Sequence, residues 1–525
     1  MKFGAVYCLY DDHEYLDISL ASVKNRFDKV LFLISDIPWN GQIVDNCFTI
    51  MKVKELCENN KNFELVQGHW INETEQRNFG LKKLFDEDID YCFVIDSDEI
   101  YHDFHIDKIK EFVLQNSNFI AFHIVWNTYW KKTYCVISPR EDYKPVIVVK
   151  VDSFQFTANR NGITSIKRVN DFIFTKKQEQ YNGVLIPENV AFCYHLSYAR
   201  SDEFIKRKLE ISSHANEFLP NWYNTVWLGW KSNCINLHPV TPKQYKKAIP
   251  ENFLSFPVQL RQFIKKERRE TCSCSIILVN WNSYELLFNC IELIKQNTKN
   301  YEIIVVDNGS RKLPIEFKDI LKQHGISKCI MNKENLGFTV AVNQGIKIAS
   351  QNSDICLMNV DAEPWLNWLD FLYETLIENS NAGIVGPLGN EIENGYQSEN
   401  FVKKDTKVFN VHFYCVLISR EVIKKIGILD TRYGLGCWED NDFCIRAMLS
   451  GFESWIAAKS FVRHKAHQVF KINKLDYREL ESKNKDLLQE KLISTLYRYG
   501  SIVDLFSLSP KIAEECGLVI KEQEN

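Results

Sequence analysis

Three kinds of residue in this chain have types and spacings suited to chemistry on charged groups. The first are acid pairs, Asp96-Ser97-Asp98-Glu99 in DYCFVIDSDE and Asp361-Ala362-Glu363 in DICLMNVDAE. Two carboxylates so spaced after an extended run lie on nearly the same side and can hold a hard divalent cation through oxygen. Such a cation neutralises charge that develops on a leaving group. The second are histidines after aromatic or β-branched runs, His195 in AFCYHLSYAR and His464 in SFVRHKAHQVF, with His467 a competitor for the role of His464. Imidazole is a frequent ligand of manganese-like ions. The third is Glu439-Asp440, delivered by a turn with Gly434 and Gly436 to the start of an amphipathic stretch. There a carboxylate is either a dipole-favoured cap or a general base, and Asp440 is the candidate base. Taken singly, strand-end acids are commonly solvated and lone histidines commonly satisfied by neighbours.

What lifts these residues above that reading is that the arrangement occurs twice. RNFGLKKLFDEDIDYCFVID and VNQGIKIASQNSDICLMNVD each run from Asn through a Gly two residues later into a strand ending on Asp. The separations agree, 96 − 78 = 18 and 361 − 343 = 18. The histidine follows at similar distances, 195 − 98 = 97 and 464 − 363 = 101. This spacing aligns Asp96 with Asp361 and Asp98 with Glu363.

The elements that must position these residues can be read from periodicity. KFGAVYCLYDD and DKVLFLISD, then CSIILVNWNS and YEIIVVDNGS, are strand-like runs separated by helix-like stretches. Such alternation predicts an α/β fold, two tandem domains each with a mainly parallel Rossmann-like sheet between helices. Ligands of such sheets bind at the carboxyl ends of the strands, where Asp36, Asp96, Asp98, Asp307, Asp361 and Glu363 fall. The expected organisation is an N-terminal domain at 1–245, a linker at 246–271, a C-terminal domain at 272–475 and a helical extension at 476–525. The linker ends in a charge run, Lys265 to Glu270, expected to be a solvated helix end.

Composition narrows the function. Lys+Arg 64 against Asp+Glu 68 gives a net charge of −4, without the basic excess of a protein that grips nucleic acid. No stretch approaches the roughly 18 to 20 apolar residues that span a bilayer, and the N-terminus lacks the pattern of a secretory signal. The 16 cysteines are scattered without zinc-site spacing, as expected of buried free thiols in a reducing compartment. The expected location is therefore cytoplasmic, or peripheral at the inner membrane face.

VDNGS, NLGFTVAVNQGI, NVDAE, REVIKKIGILD, CWEDNDFCIRAMLSGF and the trailing H-x-x-H resemble family 2 glycosyltransferases of the glycosyltransferase A fold, over roughly 272–470. The resemblance implies inverting transfer from a nucleotide-diphospho-sugar, most readily a UDP-sugar, assisted by Mn2+ or Mg2+, onto a glycan, lipid-linked or protein acceptor. It implies that Asp307 contacts the base, that Asn335 and Asp361 bind the nucleotide-sugar, that Asp361, Glu363 and His464 hold the metal, and that Asp440 is the base beside Glu439. Glu363 departs from the commoner second Asp.

Residues 1–245 resemble a more divergent branch of the same superfamily through ISDIPWNG, the stretch containing Trp70, Glu73, Gln76, Arg77 and Asn78, DSDE, WNTYWK and YHLSYARSDEFIKRKL. Asp36 and Asp96 would then serve the nucleotide, and Asp98 and His195 the metal. No Glu-Asp pair lies between Asp98 and His195, and neither Asp171 nor Glu188 sits in a comparable motif, so this domain's base is unassigned. Arg200, Lys206, Arg207 and Lys208 either touch diphosphate or form a solvated helix face, the latter being favoured. Trp126, Tyr129, Trp130, Trp365, Trp368 and Trp438 are core residues or sugar-stacking rings. Two rival readings follow: an N-terminal binding module beside one transferase, and a nucleotidyltransferase, which would need a glycine-rich basic loop near the first strand.

Overall fold

The computed structural model describes residues 1–38, 45–157, 163–169, 172–175, 182–211, 217–231, 233–271, 273–390, 397–398, 402–465 and 467–499. Asp171 and the Trp39-Asn40-Gly41 end of ISDIPWNG lie outside them. The chain divides into two compact units, Met1–Arg261 and Gln262–Asn525, each mixed α/β. No helix of the described residues is long and apolar enough to cross a membrane.

In the first unit, strand Phe3–Leu9 lies between Lys29–Ser35 and Tyr91–Val94, parallel to both, and Phe63–Gly68 extends the parallel edge. Beyond Tyr91–Val94 come Val146–Lys150 and Ala121–His123, each antiparallel to its predecessor, and then Gly183–Leu185, parallel to Ala121–His123. The inner strands are unbroken apolar runs such as VLFLI, buried throughout, which is the signature of a sheet covered on both faces.

The second unit repeats this order. Strand Cys274–Asn280 lies between Tyr301–Asp307 and Ile355–Asn359, with Lys328–Met331 at the parallel edge. Cys415–Ile418 and Ala382–Leu388 follow antiparallel, and Glu453–His464 closes the series parallel to Ala382–Leu388. In both units the strand carrying the histidine also pairs, antiparallel, with a short strand that follows the acids. These pairs are Glu99–Ile100 with Cys193–Tyr198, and Ala362–Pro364 with Glu453–His464.

The duplicated Asn-x-Gly has one physical role in both units. Gly80 of helix Glu73–Asp86 and Gly345 of helix Phe338–Ile348 sit where a Cβ would come within 3.0 Å of Leu33 and Val6, or 2.6 Å of Ile277, so a bare backbone lets each helix lie on its sheet. Two residues earlier, the Asn78 amide donates to the Phe156 carbonyl (2.8 Å) and accepts from its N–H (2.9 Å). Asn343 brackets Leu429 in the same way, at 2.8 and 3.0 Å. A carboxamide is one of few side chains that can satisfy both groups of a passing backbone.

Residues 246–271 carry structure where a linker was expected. Strand Lys247–Pro250 pairs with Cys135–Ser138, and Val258–Thr271 is helical. The charge run is also not simply solvated. Lys266 and Glu270 face water, but Lys265 and Arg268, three residues apart on one helix face, are buried. The Lys265 ammonium lies 2.7 to 3.0 Å from the carbonyl oxygens of Leu376, Asn379, Ser380 and Ala382 and shares its three N–H groups among them, around the end of helix Trp368–Glu378. Arg268 bridges the buried carboxylates of Asp354 (3.2 Å) and Glu421 (2.5 Å). Charge counting in the sequence missed both because their partners lie some 90 to 150 residues away. All the described cysteines are free.

Arg268→Ala should therefore strand two buried carboxylates and destabilise the second unit by about 3–5 kcal/mol. Hydrogen exchange in Ile355–Asn359 and Arg420–Ile426 reads this directly, and unchanged protection there would remove Arg268 from the account.

Candidate active sites

The C-terminal site lies at the carboxyl ends of the parallel strands, in a cavity of about 290 Å3 lined by Asn335, Asn359, Asp361, His412, Glu439, Asp440, His464 and His467 among others. Register sets its centre. Ala362 pairs with His464, which brings the preceding carboxylate against the imidazole, Asp361 Oδ1 to His464 Nε2 at 3.4 Å. The other oxygen of Asp361 accepts from the Gln468 N–H at 3.2 Å. Asp361 Oδ1 and His464 Nε2 themselves are buried and make no hydrogen bond. His467 also lines the cavity but stacks on Tyr477, ring centres 4.3 Å apart.

Beside this pair the glycine-rich turn enters helix Glu439–Leu449 through Cys437 and Trp438, two non-glycine residues with φ of +71° and +68°. Such consecutive left-handed residues store strain, here next to the candidate base. Helix Tyr477–Tyr499 braces the turn. Asn484 donates to the carbonyls of Tyr433 (2.8 Å) and Gly436 (2.6 Å), and Lys491 pairs with Asp430 and Asp442. Asp440 Oδ1 accepts from the Asn441 backbone at 2.8 Å, while Oδ2 lies 3.5 Å from His412 Nδ1. Burial, and then the neighbouring Asp440 charge, push the Glu439 carboxyl up to about 8. Glu439 thus keeps its proton near neutral pH.

Three other expected residues stand apart from the cavity lining. Asp307, buried at the end of its strand, accepts from Asn280 (2.7 Å) and from the hydroxyl (2.6 Å) and N–H (3.1 Å) of Ser310, so it shapes the DNGS turn. Asn308 of that turn holds Asn335 at the cavity through a 2.7 Å hydrogen bond. Glu363, opposite Arg463 in register, pairs with Lys465 at 2.5 Å and does not join Asp361. Asp36 is exposed and bonded to His69 at 2.9 Å.

The N-terminal site is a cavity of about 370 Å3 lined by Asp11, Asp12, Arg77, Asp96, Asp98, Trp126, His195, Arg207 and Lys208 among others. Glu99 pairs with His195 in register, so the acid preceding it, Asp98, meets the imidazole at 3.8 Å. Trp126 stacks on His195 with ring centres 3.8 Å apart. Register therefore aligns Asp98 with Asp361, not with Glu363 as the equal spacing suggested. Three residues separate Val94 from Asp98, but one separates Asn359 from Asp361, and a count along the chain absorbs that difference. Asp96 instead accepts from Arg77 at 3.3 Å.

The surroundings of Asp98 differ from those of Asp361. Arg200 lies 3.5 Å and Lys208 4.0 Å from Asp98 Oδ2. Burial opposes its ionisation, but the charges of His195, Lys208 and Arg200 outweigh it and draw the carboxyl down to about 2. Arg200 is not on a solvated face. It is buried, paired with Asp12 (3.0 Å) and Glu14 (3.2 Å), and stacked over Tyr15 and Phe204.

A divalent cation fits one site better than the other. Asp361 and His464 offer adjacent oxygen and nitrogen donors that the protein leaves unsatisfied, and such buried atoms call for a partner. At Asp98 that partner is already present as two organic cations; Asp11 Oδ2 and Asp12 Oδ1 in the same cavity also make no hydrogen bond, but each lies 3.0 Å from a guanidinium, that of Arg207 and that of Arg200, so the residues do not fit a metal. Among the described residues no cluster of three or more such ligands converges in either unit. Of the aromatics, Trp126 lines a cavity, Tyr129, Trp130 and Trp368 are core, and Trp365 is exposed.

Residues 275–427 match the family described as Glycosyl transferase family 2. The matched segment carries Asp307, Asn335, Asp361 and His412 and ends before Glu439 and Asp440. It supports a nucleotide-sugar glycosyltransferase. Among solved structures, the chain is similar to GalNAc-T7 with UDP, GalNAc and Mn2+, at 17% identity and TM-score 0.32, over 37% of this chain and 44% of that one. It is also similar to S. aureus TarS 1-349, at 15% identity and TM-score 0.32, over 46% of this chain and 77% of that one. The chain thus spans under half the length of the first of these. No curated protein matches.

The raised Glu439 carboxyl carries a pH signature. Between its ordinary value of 4.5 and about 8 the folded unit binds more protons than the unfolded chain, so stability falls as pH rises through that window. Thermal unfolding followed across it should show Glu439→Gln losing part of this slope. A variant with the parent's slope would place the ionisation elsewhere.

Proposed function

We propose that the chain is a bifunctional glycosyltransferase with two glycosyltransferase A type domains. Sugars pass from nucleotide-diphospho-sugar donors, UDP-sugars foremost, to a glycan, lipid-linked or protein acceptor. The observation that carries this reading is the pairing, in one cavity, of the unsatisfied Asp361–His464 donors with the Asp440 carboxylate. The family match over 275–427 supports it.

In the C-terminal site Asp361 and His464 would hold Mn2+ or Mg2+, which when bound supplies positive charge beside the donor's diphosphate. Asn335, fixed by Asn308, lines the same cavity and would bind the donor. Asp440, oriented by His412 and the Asn441 N–H, takes the proton of an acceptor hydroxyl. The acceptor oxygen bonds to the anomeric carbon as the bond to the diphosphate oxygen breaks, and the electron pair departs with the diphosphate. Attack opposite the leaving group inverts the configuration. Glu439, protonated, does not compete as base and can donate a hydrogen bond.

The common strand order, the matched Asn brackets and the Asp98–His195 pair support a second nucleotide-sugar site in the N-terminal unit. One feature favours a non-catalytic binding module there: among the described residues between Asp98 and His195 no carboxylate lines the cavity as Asp440 does, the helix that starts on Asp103 included.

Asp440→Asn should lower the transfer rate by roughly 100- to 10,000-fold, the usual worth of a positioned base. Donor affinity by calorimetry should barely move. A large loss of donor binding in a folded variant would make Asp440 part of the donor site instead. Asp361→Ala should abolish the Mn2+-dependent part of donor binding, and unchanged binding in chelator would remove the metal from the reading.

A further inference from the structure

The two cavities differ most in where their positive charge comes from. Among the described residues lining the C-terminal cavity there is no Lys or Arg, only three histidines. The N-terminal cavity has Arg77, Arg207 and Lys208 in its wall and Arg200 directly behind Asp98. Arg77 is taken up by Glu73 and Asp96. Arg207 and Lys208 are placed differently. Both lie on helix Asp202–Ile211, and the Arg207 side chain is half exposed, with Asp11 (3.0 Å) as its one ion-pair partner among the described residues. Lys208 gives two N–H groups to Ser197, at 2.6 Å to the hydroxyl and 3.3 Å to the carbonyl, and an ammonium has three. Burial lowers its affinity for that proton, a cost that a bound anion would offset.

We propose that the N-terminal site binds the diphosphate of a nucleotide-sugar without a divalent cation, using Lys208 and Arg207 as counter-charges while Arg200 neutralises Asp98. This rests on reading the N-terminal unit as a nucleotide-sugar site. The physical case is one of occupancy. A metal ion needs Asp98 as an unencumbered oxygen ligand, yet that carboxylate already faces a guanidinium and an ammonium within 4.0 Å. Displacing them would leave Arg200, wholly buried at its side chain, closer to a divalent charge of its own sign. Lys208 and Arg207, which line the cavity, can meet phosphate oxygens directly, as ammonium and guanidinium groups commonly do. One chain would then hold two donors by different means, a cation bridge in one unit and fixed side chains in the other.

Calorimetry on the full chain tests this, with UDP, GDP and dTDP as probes, first in EDTA and then with Mn2+. One nucleotide site per chain is expected in EDTA and two with Mn2+. Lys208→Ala, and independently Arg207→Gln, whose amide can still donate to the buried Asp11 carboxylate, should weaken the EDTA-resistant site by about 10- to 100-fold, as expected for lost hydrogen bonds to a charged group. Asp361→Ala should remove only the Mn2+-dependent site. Two sites that both need Mn2+ would overturn the proposal and leave the bifunctional reading standing. A single Mn2+-dependent site, lost in Asp361→Ala, would overturn both.

Discussion

Both sites depend on the register of one short antiparallel strand pair. Ala362 opposite His464, and Glu99 opposite His195, fix the residue before each as the acid that meets the imidazole. A slip of one residue would turn the acid or the histidine to the other face and dissolve the site. Much of the surrounding framework holds that register. The long histidine strand is anchored along Ala382–Leu388, and the helix before the acid strand is seated by a glycine and tied by an asparagine bracket. A shared frame of this kind explains why an Asn-x-Gly and a distant acid and histidine recur in the sequence while most positions between them do not.

Within that frame the two units make opposite electrostatic choices. The C-terminal unit leaves an oxygen and a nitrogen buried without partners, at a cost of about 1–3 kcal/mol each, which a ligand can recover. It also buries Glu439 against Asp440 and bends the backbone through two left-handed residues to present them. The N-terminal unit satisfies its acid with Arg200 and Lys208, and its carboxyl is drawn down where that of Glu439 is raised. The contrast is centred on the acid that meets the histidine: Asp361 keeps an oxygen without a hydrogen bond, whereas Asp98 faces two organic cations.

Much of this was legible in the sequence, and the failures have physical causes. Unbroken apolar runs and their spacing revealed the strands, and Asp361, His464, Asn335, Glu439 and Asp440 do converge on one cavity. Equal spacing misaligned the acids because a two-residue difference after the strand is invisible until pairing is known. Glu363 was grouped with Asp361 by adjacency, although Lys465 draws it elsewhere. His412, Asn484 and Gln468 escaped notice because nothing local marks them, their roles arising from contacts with distant residues. Arg200, Lys265 and Arg268 looked like solvated charges because burial of an ion is decided by partners far along the chain.

Whether Asp361 and His464 together hold a divalent cation is read by pulsed electron paramagnetic resonance of Mn2+ bound to the full chain with a nucleoside diphosphate. One Mn2+ per chain is expected, with nitrogen coupling from a single imidazole that disappears in His464→Gln and persists in His467→Gln and His195→Gln. Coupling that survives His464→Gln, or bound Mn2+ with no nitrogen coupling at all, would contradict it.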